Sequence, residues 1–153
     1  MKILVMGLPN TGKTALSKRL QSILGCAWFN ADAVRSMAND WDFDSEARIR
    51  QARRMRNLAD YEKGCGNTVI CDFICPTDLT RYIFDADFTI WCDTVKECNY
   101  EDTNSVFERP SSYDMRIKSW TNARKLYNYL EGGNLGTEDT LNFLKGLSKE
   151  LVR

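Results

Sequence analysis

The chain has 153 residues, with 21 Lys or Arg against 21 Asp or Glu, so its formal charge is zero and no bulk attraction to nucleic acid or an anionic membrane is implied. Its length predicts a single domain, residues 1–153, built round one hydrophobic core. Six cysteines with no C-x-x-C pair, in a chain without histidine, argue against zinc sites and Cys–His nucleophiles and fit a reducing cytoplasm better than a disulfide framework.

The apolar run Ile3-Leu4-Val5-Met6 predicts a buried strand, and directly behind it residues 7–14 read G-x-x-x-x-G-K-T. That order of strand, glycine-rich turn and helix is a phosphate cradle, the P-loop. Gly7 and Gly12 let the backbone fold round a polyphosphate, and the N–H groups of Asn10, Thr11 and Gly12 point inward. Lys13 reaches the outer phosphates and the Thr14 hydroxyl is placed for Mg²⁺, so ATP and Mg²⁺ are the predicted cofactors. Leu16, Leu20, Ile23 and Leu24 then share one helical face, and Gly25 ends the helix. No apolar span of 18 residues follows, and neither a signal peptide nor a membrane segment is expected.

Ala27–Phe29 is a short candidate strand, and Asn30-Ala31-Asp32-Ala33-Val34-Arg35 comes just past its end, where open α/β sheets hold ligands. An Asp there can accept the proton of an attacking hydroxyl and an Arg one turn later can grip an anion; an N-cap role for Asp32 is the alternative. Asp44 is the expected N-cap of a long polar helix, roughly Ser45 to Lys63, closed by Gly64-Cys65-Gly66-Asn67. On it Arg48 and Gln51 share a face, while Arg50 and Arg56 read as solvated surface.

Thr68–Phe73 is the next strand, with Asp72 near its end as a carboxylate for the Mg²⁺ shell or, alternatively, a capping or surface acid. Cys75 at the same mouth has no activating base in sight and reads as a structural thiol. Phe88–Cys92 is a further strand, and the polar segment from Lys96 to Ser112 reads as a loop or short mobile helix suited to a lid. Arg109, beside Pro110, is the first choice to offset charge on a transferring phosphoryl group, ahead of Arg116; a plain surface role is the alternative for each. Tyr113, Met115 and Ile117 alternate as a strand, Thr121 to Leu130 reads as a helix broken by Gly132-Gly133, and Thr137-Glu138-Asp139 opens a last helix with Leu141, Leu144, Leu147 and Leu151. The four tryptophans read as packing residues, with Trp41, beside Phe43, the candidate for base stacking. The alternation predicts an α/β, three-layer P-loop NTPase fold with a parallel sheet of about five strands.

Over roughly residues 1–93 these motifs resemble the adenylylsulfate kinases, which use ATP to phosphorylate the 3′-hydroxyl of adenosine 5′-phosphosulfate. Besides the P-loop, residues 30–35 stand against D-G-D-N-V-R, Phe43-Asp44-Ser45-Glu46-Ala47-Arg48 against G-F-S-x-x-D-R, and Phe73-Ile74-Cys75-Pro76 against F-I-S-P. The resemblance implies that Asp32 lies near the acceptor hydroxyl, that Arg35 and Arg48 bind the acceptor's anionic group, and that Phe43 lines the nucleotide pocket. Gln51 stands where the family has a substrate-holding Asn, Cys75 replaces a serine, and the segment from Glu101 to Pro110 stands in place of the family's K-G-L-Y-K-x-A-R lid. The implied partners are a nucleoside triphosphate and a small anionic acceptor. The core is also similar to polynucleotide 5′-kinases and to kinases of nucleotides or modified nucleobases, and a non-catalytic nucleotide-binding regulator and a homodimer stay open.

Overall fold

Ile3, Leu4, Val5 and Met6 are buried to within 1% of their surface, as a strand covered on both faces by helices must be. In the computed structural model, which describes residues 1–131 together with Asn142 and Leu144, this strand β1 (Lys2–Met6) lies at the centre of the sheet. The other strands are β2 (Ala27–Asn30), β3 (Val69–Asp72), β4 (Phe88–Cys92) and β5 (Met115–Ile117), in the order β2-β3-β1-β4-β5. Every pairing is parallel, with Leu4 opposite Cys71 on one side and Thr89 on the other. The fold is therefore the expected α/β three-layer arrangement with a five-stranded parallel sheet.

The helices are α1 (Lys13–Leu24), α2 (Ala31–Ala38), α3 (Ser45–Gly64), α4 (Asp78–Phe84), α5 (Glu101–Val106) and α6 (Trp120–Glu131). Ile3, Val5, Ile70 and Ile90 pack with Leu16 and Leu20 of α1 and Ala123 and Leu126 of α6, and Leu144 joins this core. On the opposite face Leu4, Met6, Val69 and Cys71 pack with Val34, Ala52, Met55 and Phe84. Lys2 is carried into the structure by β1, and its ammonium is neutralised by Asp60 at 2.7 Å while it donates to the Phe84 carbonyl.

Asp44 caps α3 as expected, accepting from Ala47 N at 2.8 Å. The helix over 31–38 is capped by Asn30 rather than by Asp32, which lies in its first turn. The short helix α4 escapes the periodicity reading; the Thr77–Thr80 capping box starts it. The segment from Lys96 to Ser112 contains α5. Gly132-Gly133, Thr137-Glu138-Asp139, Leu141, Leu147 and Leu151 lie outside the described residues. Among the described residues no helix is long and apolar enough to cross a membrane. Because all strands run the same way, Gly7, Asn30, Asp72 and Asp93 meet at one edge of the sheet, at the point where the chain changes direction about β1.

Candidate active site

The loop between β1 and α1 is held from within. Thr11 Oγ1 donates to the Leu8 carbonyl at 2.8 Å, Lys13 Nζ to the same oxygen at 2.7 Å, and Thr94 Oγ1 to the Thr11 carbonyl at 3.0 Å. Asn10 and Gly12 take left-handed conformations at φ 63 and φ 88, and no side chain caps the first turn of α1. The amide groups that open this helix are thus left for an anion. Burial lowers the Lys13 pKa, partly opposed by Asp72 and Asp32, so an incoming polyphosphate restores charge that the fold has made costly. Thr11 is 2% exposed and its hydroxyl is spent inside the loop, so only its backbone can meet a phosphate.

A cavity of about 690 Å³ opens from this loop. Asn10, Gly12, Lys13, Thr14 and Asp72 line one end, and Asp32, Arg35, Phe43, Arg48 and Gln51 also line it. Ten of the thirteen candidate catalytic, binding and metal residues therefore share one chamber, with Trp41 and Cys75 also in its lining, and Gly7, Thr11 and Arg109 do not face it.

Asp72 is 2% exposed at the end of β3. Its Oδ1 accepts from Asn30 Nδ2 at 2.9 Å, and its Oδ2 is buried with no hydrogen-bond partner among the described residues. Burial pushes the Asp72 carboxyl up, with the Asn30 amide the chief group opposing it. The same amide stands 3.3 Å from Thr14 Oγ1. One buried carboxylate oxygen in want of a partner beside a hydroxyl fits Mg²⁺, which takes one or two protein ligands and completes its shell with phosphate and water. Among the described residues no three acids or thiols gather as a protein-only metal cage would require.

At the other end the two arginines face the same ring: Arg35 lies 4.5 Å and Arg48 5.7 Å from the Phe43 centroid. Arg35 is 5% exposed, and its Nη1 donates to the carbonyls of Asp40 and Asp42 at 3.0 and 2.8 Å, so it also fixes the loop that carries Phe43. Burial lowers its pKa, against the pull of Asp40. Asp40 is gripped by Arg50 at 2.7 Å and Arg54 at 2.8 Å, which hold its carboxyl well below the usual range. Arg50, read from the sequence as solvated, is half-exposed and engaged in that pair.

Arg48 donates through Nε to the Phe43 carbonyl at 2.8 Å and approaches Asp102 and Thr103 of α5 at 3.3 Å each. Gln51 has both ends of its amide committed: Nε2 donates to the Ala31 carbonyl at 3.1 Å and Oε1 accepts from Arg54 at 2.6 Å. It ties α3 to α2 from within the cavity lining. Cys75, at φ 47, is fully buried and its thiol is pushed up to about 12, consistent with packing rather than nucleophilic chemistry.

Arg109, expected beside the transferring group, stands outside the cavity with a 68% exposed side chain. It lies over the Trp91 ring at 4.9 Å and 3.8 Å from Asp93, and Arg116 stacks on the same indole and pairs with the same carboxylate. The tryptophan near the end of β4 and the aspartate just past it thus engage both arginines. Sequence reasoning passed over Asn30, although an Asn directly before a helix is an N-cap signal, and Trp120, whose ring approaches Gly12 so closely that a Cβ there would lie 2.2 Å from Cη2.

The family model described as adenylylsulphate kinase matches residues 1–135. The chain belongs to the adenylylsulphate kinase family. The match runs beyond Asp93 through α5, β5 and α6, further than the motifs alone reach. Among solved structures, the Mycobacterium tuberculosis APS kinase CysC in complex with AMPPNP and APS is similar at 20% identity, covering 86% of this chain and 97% of that one with a TM-score of 0.69. A sugar kinase from Janibacter sp. is similar at 16% identity, covering 98% and 96% of the two chains with a TM-score of 0.66. Shikimate kinase from Aquifex aeolicus is similar at 16% identity, covering 89% and 99% with a TM-score of 0.59. These likenesses establish a common kinase fold for this member of the adenylylsulphate kinase family. No functionally curated protein sequence is significantly similar to it.

Proposed function

We propose that the protein is an ATP-dependent kinase that transfers the γ-phosphoryl group to a hydroxyl of a small anionic acceptor, with adenosine 5′-phosphosulfate the first candidate. The observation that carries this reading is the single chamber lined by Lys13, Thr14 and Asp72 at the P-loop and by Asp32, Arg35, Phe43 and Arg48 beyond it. A donor tail and an acceptor hydroxyl held there would be in one space, which converts a bimolecular step into a positioned one. Membership of the adenylylsulphate kinase family, and a similar fold that binds AMPPNP and APS together, support the same acceptor class.

In this reading the acceptor oxygen attacks the γ-phosphorus, its proton passes to the Asp32 carboxylate, and the bond from that phosphorus to the β–γ bridging oxygen breaks to release ADP. Lys13 and the amides at the start of α1 stabilise charge on the phosphoryl oxygens. Thr14 and Asp72 would hold Mg²⁺, which when bound shields the phosphate charges. Arg35 and Arg48 draw in the acceptor's anionic end, and Phe43 between them offers a flat apolar surface.

The deciding experiment is an acceptor screen with radiolabelled ATP over adenosine 5′-phosphosulfate, nucleosides, nucleotides and oligonucleotides. Label in a small anionic product is expected; label in none of them overturns the reading. Asp32→Ala is expected to keep nucleotide affinity while kcat falls about 10²–10⁴-fold, and undiminished turnover in that variant would instead mark a nucleotide-hydrolysing regulator. Arg48→Ala is expected to raise the acceptor KM about 10–100-fold, the loss of a charge-assisted contact, with a much smaller change in kcat. Steady-state kinetics with acceptor as the varied substrate distinguishes the two.

A further inference from the structure

Asn30 ends β2 and precedes α2, and its amide has both ends engaged. Oδ1 accepts from Ala33 N at 3.0 Å and so caps the helix that carries Asp32 and Arg35. Because an N–H can only donate, this bond fixes the amide's orientation and obliges Nδ2 to face Asp72 Oδ1 at 2.9 Å and Thr14 Oγ1 at 3.3 Å. Asp72 Oδ2 is the oxygen left over: it is buried and makes no hydrogen bond among the described residues, with the Thr14 hydroxyl and the Trp28 indole as the polar groups beside the carboxyl.

We propose that Asn30 is a positioning residue that aims the free oxygen of Asp72 and the hydroxyl of Thr14 at one divalent cation and locks that pair to the start of the acceptor-side helix. The inference rests on the nucleotide-binding reading of the P-loop and adds to it a residue that lines the same cavity and acts through Asp72 and Thr14. A carboxylate that is free to rotate presents either oxygen and must be ordered each time a cation arrives. One held through Oδ1 presents Oδ2 in advance, and such supporting contacts typically set 10–100-fold in metal affinity. The shared amide also joins two tasks: the group that orders the cation ligands is the cap that sets where Asp32 begins its turn.

Two variants separate these tasks. Asn30→Ala loses the cap and the amide together and is expected to destabilise α2. Asn30→Ser keeps an N-cap oxygen of comparable strength but cannot reach Asp72. For Asn30→Ser, Mn²⁺ titration of the ADP complex, read by electron paramagnetic resonance, is expected to show cation binding weakened about 10–100-fold, with metal-free ADP affinity and melting temperature close to wild type. Its kcat should recover at saturating Mg²⁺, so the defect appears as a raised Mg²⁺ requirement. Wild-type Mn²⁺ affinity in the Ser variant would overturn the proposal and leave Asn30 a helix cap alone. If the wild-type protein binds ADP but takes up no Mn²⁺ with it, this proposal falls alone; if it binds no ADP, the nucleotide-binding reading falls as well.

Discussion

Lys13→Met is expected to lower kcat about 10²–10³-fold and to weaken ATP binding, while leaving the fold intact. The ammonium lies against the loop that would hold the triphosphate, donating to the Leu8 carbonyl in the absence of a ligand, and the methionine stem keeps the packing while removing the charge. Stability supplies a second readout. Burial sets the folded-state pKa of Lys13 below its unfolded value, so between the two values the unfolded chain binds more protons and stability rises with pH. Below that window the buried charge costs its full amount; above it the cost is gone. The melting temperature of Lys13→Met relative to wild type should therefore be highest below the lowered pKa and fall as the pH climbs through it. Thermal denaturation of both proteins across the alkaline range checks it, and parallel curves would mean that the charge is not buried.

Gly7→Ala is expected to destabilise the protein more than any other change in the loop. Gly7 has φ 146, a conformation that costs a residue with a Cβ roughly 1–3 kcal/mol. A Cβ there would also stand 2.3 Å from the carbonyl oxygen of Cys92, at the end of β4. That atom belongs to the backbone of the strand paired with β1 and cannot turn aside as a side chain would, so the overlap adds roughly another 1–3 kcal/mol. Urea denaturation should show the midpoint falling with an unchanged slope. Gly7 lies outside the cavity, so nucleotide should rescue the variant only by mass action, by an amount that tracks ligand concentration.

The strands were legible because burial on both faces leaves continuous apolar runs, as at Ile3–Met6 and Phe88–Cys92, and β2 was faint because each of its residues is only half-buried. The helices α2 and α4 are eight and seven residues long, too short for periodicity to speak, and are set by caps at Asn30 and Thr77. In the site, the P-loop could be read because its working groups are contiguous. Arg35, Phe43 and Arg48 could be placed together only through the family resemblance. The setting of Arg109 depends on Trp91 and Asp93, an indole and a carboxylate brought to it by the sheet, and nothing in the run Glu108-Arg109-Pro110 announces them. The partners of Gln51, the Ala31 carbonyl and Arg54, are a matter of helix packing that the sequence does not announce.

Trp120 combines a side chain that is 57% exposed with contact against Gly12, in the turn just before Lys13. The emission of an indole so placed depends on its solvation, and a guest settling against Gly12 would sit beside the ring. Emission recorded on wild type minus that of Trp120→Phe isolates this indole from the other three tryptophans, and that difference is expected to change as nucleotide fills the turn.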